Sequence, residues 1–364
     1  MQMKNTILSA TILLLFTTVA LMGQTQGEIT VNDTQDVKVT LFDSDDLMEI
    51  SLAFDISHYK KYKSKDEYLD AVLTYYNSPE DSVVKNIKVR ARGNIRRTAI
   101  CDFPPLMLNF RMKDSEGTEF EGINKLKIVP YCKIGYEDYI LREYLVYRLF
   151  NVVTDYSYRV RLFRITYINT SRTQKNITQF AFAIEPTALL AERTGTTEIE
   201  YTGTTQRNIK PDMLDMAAVF NYMIGNTDWS VPIQHNVQLL YQPQATGNEA
   251  NLIIPYDFDY AGIVHTNYAV PFESLPIENV RQRLYMAMCR EEDSFLEVLK
   301  KLQDKKQELY KVIEDFPYLH PRSKRDMTSY LNEFFAGLEK RNPVLRSIMT
   351  DCRWLEEQSN LRVR

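Results

Sequence analysis

Residues 221–260 read NYMIGNTDWSVPIQHNVQLLYQPQATGNEANLIIPYDFDY, and this stretch decides how the rest of the chain is read. Leading into it, Pro211–Ile224 predicts a helix. Pro211 suits a first helical turn, and Met213, Leu214, Met216, Ala217, Phe220 and Ile224 recur at about the 3.6-residue helical period. Gly225 can adopt the left-handed conformation that ends a helix, so Asn226, Thr227 and Asp228 emerge on a loop held by a packed helix. Residues 236–241 and 251–256 are apolar strand candidates joined by a polar loop containing Gly247 and Asn248, which predicts a hairpin. Asp257 and Asp259 follow its second strand directly.

A helix end, an Asp loop, an Asn, a hairpin and a pair of Asp residues form an order that phosphotransferases use. One Asp receives or orients the attacking hydroxyl; an Asn and the later Asp hold a divalent metal against the phosphates. The bland alternative is that Asp228 caps a turn while Asp257 and Asp259 sit in a solvated loop.

On GNTDW at 225–229, HN at 235–236 and YDFD at 256–259, the chain resembles the CotH-like atypical protein kinases. RARGN at 90–94 and KLK at 125–127 add weaker support, and the likeness runs over about residues 45–290. The resemblance implies an α+β, two-lobed, protein-kinase-like fold. Residues 27–186 would form a β-rich N-terminal lobe and 187–364 a mainly helical C-terminal lobe. It implies transfer of a phosphoryl group from ATP to a hydroxyl-bearing acceptor, protein or glycan, with Mg²⁺ or Mn²⁺. Asp228 would handle the acceptor, and Asn236 and Asp257 would ligate metal, with Asp259 binding a second metal or supporting the first. Lys125 or Lys127 would neutralise phosphate; both lie on one strand face, so alternation does not choose between them. Arg92 would join an anion-binding rim. Glu143 would pair with a strand lysine, or else be an ordinary surface charge. Similar proteins often carry a lysine in the strand at 104–110, where this chain has Met107 and Leu108. Two rivals stand beside this reading: a non-catalytic secreted kinase-like scaffold or binding protein, and a metal-dependent hydrolase using the same Asp cluster.

The chain has 364 residues, 44% hydrophobic and 25% charged, with a formal net charge of −4. That is enough for a large core, and nothing in the charge points to bulk binding of nucleic acid. Lys4 and the apolar run at 7–22, followed by small and polar residues, predict a secretory signal over 1–26 and no membrane anchor after its removal. The four cysteines, Cys101, Cys132, Cys289 and Cys352, lack zinc-site spacing. In an oxidising compartment three pairings can be drawn. Cys101 with Cys132 and Cys289 with Cys352 is preferred because each would staple one lobe; four free thiols is the alternative.

Elsewhere the pattern predicts strands at 37–42, 49–54, 87–94, 104–110 and 125–129, and a hairpin from 159–167 and 179–184. Lys88, Arg90 and Arg92 share a face of the 87–94 strand and, with Arg96 and Arg97, make a candidate anion rim, or else an exposed basic strand face. Helices are predicted at 66–76, 137–150, 279–289, 291–316 and 322–341, with a short one from Pro343. Residues 191–210 read as a loop or linker.

Overall fold

Alternation of buried apolar side chains is clearest in β1 (Met48–Phe54), where Met48, Ile50, Leu52 and Phe54 face one side. Six more strands follow: β2 (Leu69–Ser78), β3 (Asp81–Ala91), β4 (Leu106–Asn109), β5 (Lys125–Val129), β6 (Val160–Asn169) and β7 (Ile177–Ile184). In this computed structural model the described residues are 41–362, except 79, 173–174, 200–202 and 340–341. The predicted signal and most of the strand at 37–42 lie outside them; residues 41 and 42 are in a turn.

These strands close a barrel in the order β1-β2-β3-β4-β5-β7-β6. Neighbours are antiparallel except at the closing seam, where β1 runs parallel to β6 from Met48↔Phe163 to Phe54↔Asn169. The seam corrects the expected fold. A two-lobed, kinase-like arrangement is overturned by a sheet that closes on itself, which removes its edges. The chain is α+β, a closed mixed barrel with helices packed on it.

The wall made by Val160–Phe163 of β6 and Ala181–Ile184 of β7 is buried on both faces. Phe163, Ile165, Ala181 and Ala183 point into the barrel core; Leu162, Phe182 and Ile184 belong to a second core shared with the helices. That explains the nearly unbroken apolar run of β7, since a strand covered on both sides has no polar face.

Two short helices, α1 (Ile56–Lys61) and α2 (Met112–Ser115), sit in barrel connections, and α3 (Glu137–Val153) packs on the outer wall. After β7 come α4 (Thr187–Thr194) and α5 (Pro211–Ile224), then a small sheet in which β9 (Val237–Tyr241) lies between β8 (Thr197–Glu198) and β10 (Asn251–Pro255). Four helices finish the chain: α6 (Glu292–Asp304), α7 (Lys306–Glu314), α8 (Pro321–Ala336) and α9 (Pro343–Arg362).

Several local expectations are corrected. The helix at 66–76 is strand β2, whose buried residues Ala71, Leu73 and Tyr75 alternate. Residues 279–289 form no helix. The loop at 191–210 contains the end of α4, strand β8 and a short 3₁₀ turn. The helix from Pro343 is long, not short.

The preferred cysteine pairing is the one formed: Cys101–Cys132 and Cys289–Cys352 are disulfides. Both fit an oxidising compartment. No helix among the described residues is long and apolar enough to cross a membrane.

Candidate functional site

Asp228 is placed by a sequence of local constraints. Gly225 ends α5 at φ 70°, its N–H reaching Asn221 and Tyr222, while Asn226 N donates to Asn221 O at 2.8 Å. A side chain at Gly225 or Gly262 would collide with the Tyr330 hydroxyl, and the two glycine backbones bond at 3.0 Å. This close approach fixes the loop after α5 against the segment after β10. The Asn226 side chain is bonded to Asn221 and accepts from Asp228 N at 3.1 Å.

The chain then turns back on itself. Ser230 and His235 exchange backbone bonds of 2.9 Å, which returns His235 and Asn236 to Asp228. His235 Nε2 lies 2.8 Å from Asp228 Oδ1, and Asn236 Nδ2 donates to Asp228 Oδ2 at 3.0 Å and to its backbone carbonyl at 2.8 Å. The β9–β10 register brings in the next carboxylate. Pro255 pairs with Val237 and Tyr256 N donates to Asn236 O, so Asp257 leaves the hairpin beside Asn236. Asp257 N donates to the buried Tyr147 hydroxyl of α3 at 2.8 Å. Phe258 packs against Tyr147 and Phe220 and anchors the YDFD segment in the core. Gln234, Asn236, Asp257 and His265 all have positive φ. Such conformations in non-glycine residues concentrate where function over-determines the backbone.

The barrel supplies the opposite charges. A single π-helical turn, Arg96–Ile100, carries Arg96 inward. Its guanidinium reaches Asp259 at 2.7 Å, Glu143 at 2.8 Å and Asp257 at 3.4 Å. Tyr268 OH also donates to Asp259 Oδ2 at 3.0 Å, and its ring stacks on Tyr136. Arg92, just past β3, stands close enough to Lys127, in β5, to depress its protonation, and Arg96 does the same to Arg92. Lys127 Nζ lies 5.6 Å from the Tyr256 ring centre. Neither has an ion-pair partner among the described residues.

Burial pushes the carboxyls of Glu143, Asp259 and Asp228 above the usual range; Arg96 opposes this for the first two and His235 for the third. Burial alone would lower the Arg96 pKa, but Asp259 and Glu143 outweigh it and keep the guanidinium charged. Lys127 is lowered by burial and then by Arg92. Arg92 is lowered by burial, partly offset by Asp257.

The expected site residues are therefore mostly brought together: Asp228 with Asn236, and Asp257 and Asp259 with Glu143, Arg92 and Lys127 nearby. Three details differ from the sequence reading. Glu143 is 1% exposed, so it is no surface charge, and its partner is Arg96 instead of a strand lysine. Lys125 is exposed, which leaves Lys127 as the lysine of the site. The rim is smaller than expected, because Lys88 pairs with Asp70, and Arg90 and Arg97 with Asp66. Sequence reasoning missed Tyr147 and Tyr268, which no local pattern marks, and the part His235 plays against Asp228.

The fit of a divalent metal rests on Asp257 and Asn236. The Asp257 side chain is 41% exposed, and Asn236 turns its amide nitrogen to Asp228. Glu143 Oε1 is buried without a hydrogen-bond partner among the described residues. No group of three or more His, Cys, Asp or Glu side chains suited to a metal occurs among the described residues. Mg²⁺ at a phosphoryl-transfer site needs only one or two carboxylates, because phosphates and water complete its shell. Asp257 and Asn236 fit that pattern; Asp259 is engaged by Arg96 and Tyr268 and fits a supporting place better than a ligand's.

Comparison with protein-family models and with curated proteins gives no match for this chain.

Proposed function

We propose that this chain is an exported phosphotransferase of the CotH-like type, moving a phosphoryl group from a nucleotide such as ATP to a hydroxyl. The observation that carries this reading is an unbalanced pair of cations. Arg92 and Lys127 are half-buried, near each other and without ion pairs among the described residues, and the accessible carboxylate of Asp257 is the charge that attracts both. Two partly desolvated cations that share one exposed carboxylate leave positive charge that a further anion would offset. A polyphosphate next to a metal-binding carboxylate satisfies that requirement. Export accords with the two disulfides. The reading borrows site residues from the family likeness and does not need a two-lobed fold.

A bound Mg²⁺ or Mn²⁺ would neutralise phosphate charge as the bond to the leaving group breaks. Asp257 and Asn236 would hold it. Arg92 and Lys127 would hold the phosphate oxygens, and the Tyr147 hydroxyl fixes the Asp257 backbone. Asp228, oriented by His235 and Asn236, would accept the proton of the acceptor hydroxyl; burial raises its pKa and makes it a better base. Arg96 would keep Asp259 and Glu143 from repelling the donor.

One observation favours a non-catalytic binding protein instead. Arg96 already neutralises Asp259 and Glu143 and touches Asp257, so the acidic set is balanced in part without any metal. Titration with ATP and Mg²⁺ or Mn²⁺, read by thermal shift, together with transfer of labelled phosphate, separates the two. Binding and transfer support the phosphotransferase; binding without transfer supports the alternative, and no binding removes both nucleotide readings.

A further inference from the structure

The turn that carries Arg96 has little of its own to hold it. Residues 93–100 contain no buried apolar side chain, and the π-turn Arg96–Ile100 has none. A segment without apolar burial is free to open unless something else ties it down. Apart from the ion pairs of Arg96 and Arg97 and the bonds of Thr98 to Asn94 O, its ties lie at the two ends. Arg92 N bonds to Pro105 O at 2.8 Å. At the other end, Cys101 N donates to Arg96 O at 2.9 Å, Lys63 Nζ donates to Cys101 O at 2.7 Å, and Cys101 is buried in its disulfide with Cys132.

Cys132 lies on the segment that leads into α3, the helix of Glu143. The same segment carries Tyr136, which stacks on Tyr268. The disulfide and the Arg96–Glu143 ion pair thus join the same two elements in parallel, one covalently and one electrostatically. Beyond Cys101 the chain is secured independently: Phe103 is buried, stacks on Tyr131, and its N–H donates to Cys132 O at 2.9 Å. Release of the disulfide would therefore loosen residues 94–101 and leave the barrel strands in place.

We propose that the Cys101–Cys132 disulfide is the positioning device for Arg96, so that the charge cluster of the site is assembled only in the oxidised chain. Its catalytic consequence rests on the phosphotransferase reading; its structural part does not. The companion disulfide provides the control. Cys289–Cys352 joins the segment after Tyr285 to α9 and touches none of the site residues named above.

The test uses the full oxidised chain, C101A/C132A and C289A/C352A, each well below its own melting temperature. Amide exchange is the first readout. Residues 94–101 should exchange about tenfold faster or more in C101A/C132A, with 106–109 unchanged; C289A/C352A should leave 94–101 as in the wild type. Phosphate transfer from ATP with Mg²⁺ or Mn²⁺ is the second. It should fall about 10²-fold in C101A/C132A, as a misplaced charged group does, and stay near wild type in C289A/C352A. Unchanged exchange at 94–101 in C101A/C132A overturns the proposal, as does an equal change in both variants. If C101A/C132A and the bulkier C101V/C132A both fail to fold while C289A/C352A folds, the bond serves the barrel and not the turn, which also overturns it. If the wild type transfers no phosphate, the phosphotransferase reading fails separately, and the exchange data decide the positioning claim.

Discussion

Replacing Arg96 by Ala removes the one guanidinium shared by Asp259, Glu143 and Asp257. The Arg96 side chain is 11% exposed, and those of Glu143 and Asp259 are 1% and 6%, so water cannot take its place cheaply. Breaking a buried pair by deleting one partner costs about 3–5 kcal/mol. Asp257 is too exposed to add much. The pH dependence follows from proton counting. Burial already pushes the Glu143 carboxyl up to about 8 in the wild type, so the wild type and R96A both bind a proton there that the unfolded chain lacks, and both lose stability as pH rises from about 5 to about 7. Glu143 therefore adds no pH dependence to the difference between them below about pH 8, and the R96A deficit should be about 3–5 kcal/mol. E143Q, neutral at every pH, should flatten that loss in both backgrounds. Urea unfolding of the wild type, R96A, E143Q and R96A/E143Q at about pH 5 and about pH 7 checks this. A deficit below about 1 kcal/mol, or an E143Q profile as steep as that of the wild type, refutes the description of the cluster as a buried, charge-sharing set.

Burial raises the Asp215 carboxyl to about 6 against the pull of Arg290, so the wild type should lose stability as pH rises from about 4 to about 6. D215N should flatten that part of the urea-measured profile; an unchanged profile argues against the shift. A methyl at Gly262 would press on the Val280 carbonyl and Tyr330, so G262A should cost about 1–3 kcal/mol and lower the melting temperature; an unchanged melting temperature would count against that close approach. Removing the Tyr268 hydroxyl by Y268F takes one donor from Asp259 and should destabilise by about 1–3 kcal/mol; a neutral effect in thermal unfolding would count against that bond.

What could be read from sequence follows where local signals suffice. Pro211 and Gly225 bracket α5 as predicted because both act through their own backbone preferences. The β9–β10 hairpin and α3 also follow from period and punctuation. Residues 66–76 did not, because Tyr68, Leu69, Val72, Leu73 and Tyr76 fit a helical face while Ala71, Leu73 and Tyr75 fit a strand. Pairing with β1 and β3 decides between them, and neither partner is local. The segment 279–289 carries helix-like apolar spacing, yet distant side chains take up its backbone donors. Tyr285 N goes to Asp351, Met288 N to Gln206 and Cys289 N to Glu356. Barrel closure was equally hidden, since a parallel seam between β1 and β6 leaves no short-range trace. Within the site, the acidic residues stood out because they follow apolar segments. Glu143 stays open between a pair with a strand lysine and an ordinary surface charge, because a charge on a helix looks the same in both cases until its partner Arg96 is located.

The most direct test of the central claim is paired titration and turnover of the wild type, D228N and D257A with ATP and Mg²⁺ or Mn²⁺. The wild type should bind nucleotide in a metal-dependent way and transfer labelled phosphate to a hydroxyl acceptor. D228N should still bind while transfer falls by about 10²–10⁴-fold, since it loses the base and keeps the donor site. D257A should lose the metal-dependent part of binding altogether. If all three proteins bind and react alike, or if the wild type binds no nucleotide at any metal concentration, Asp228 and Asp257 are structural residues and the phosphotransferase account is wrong.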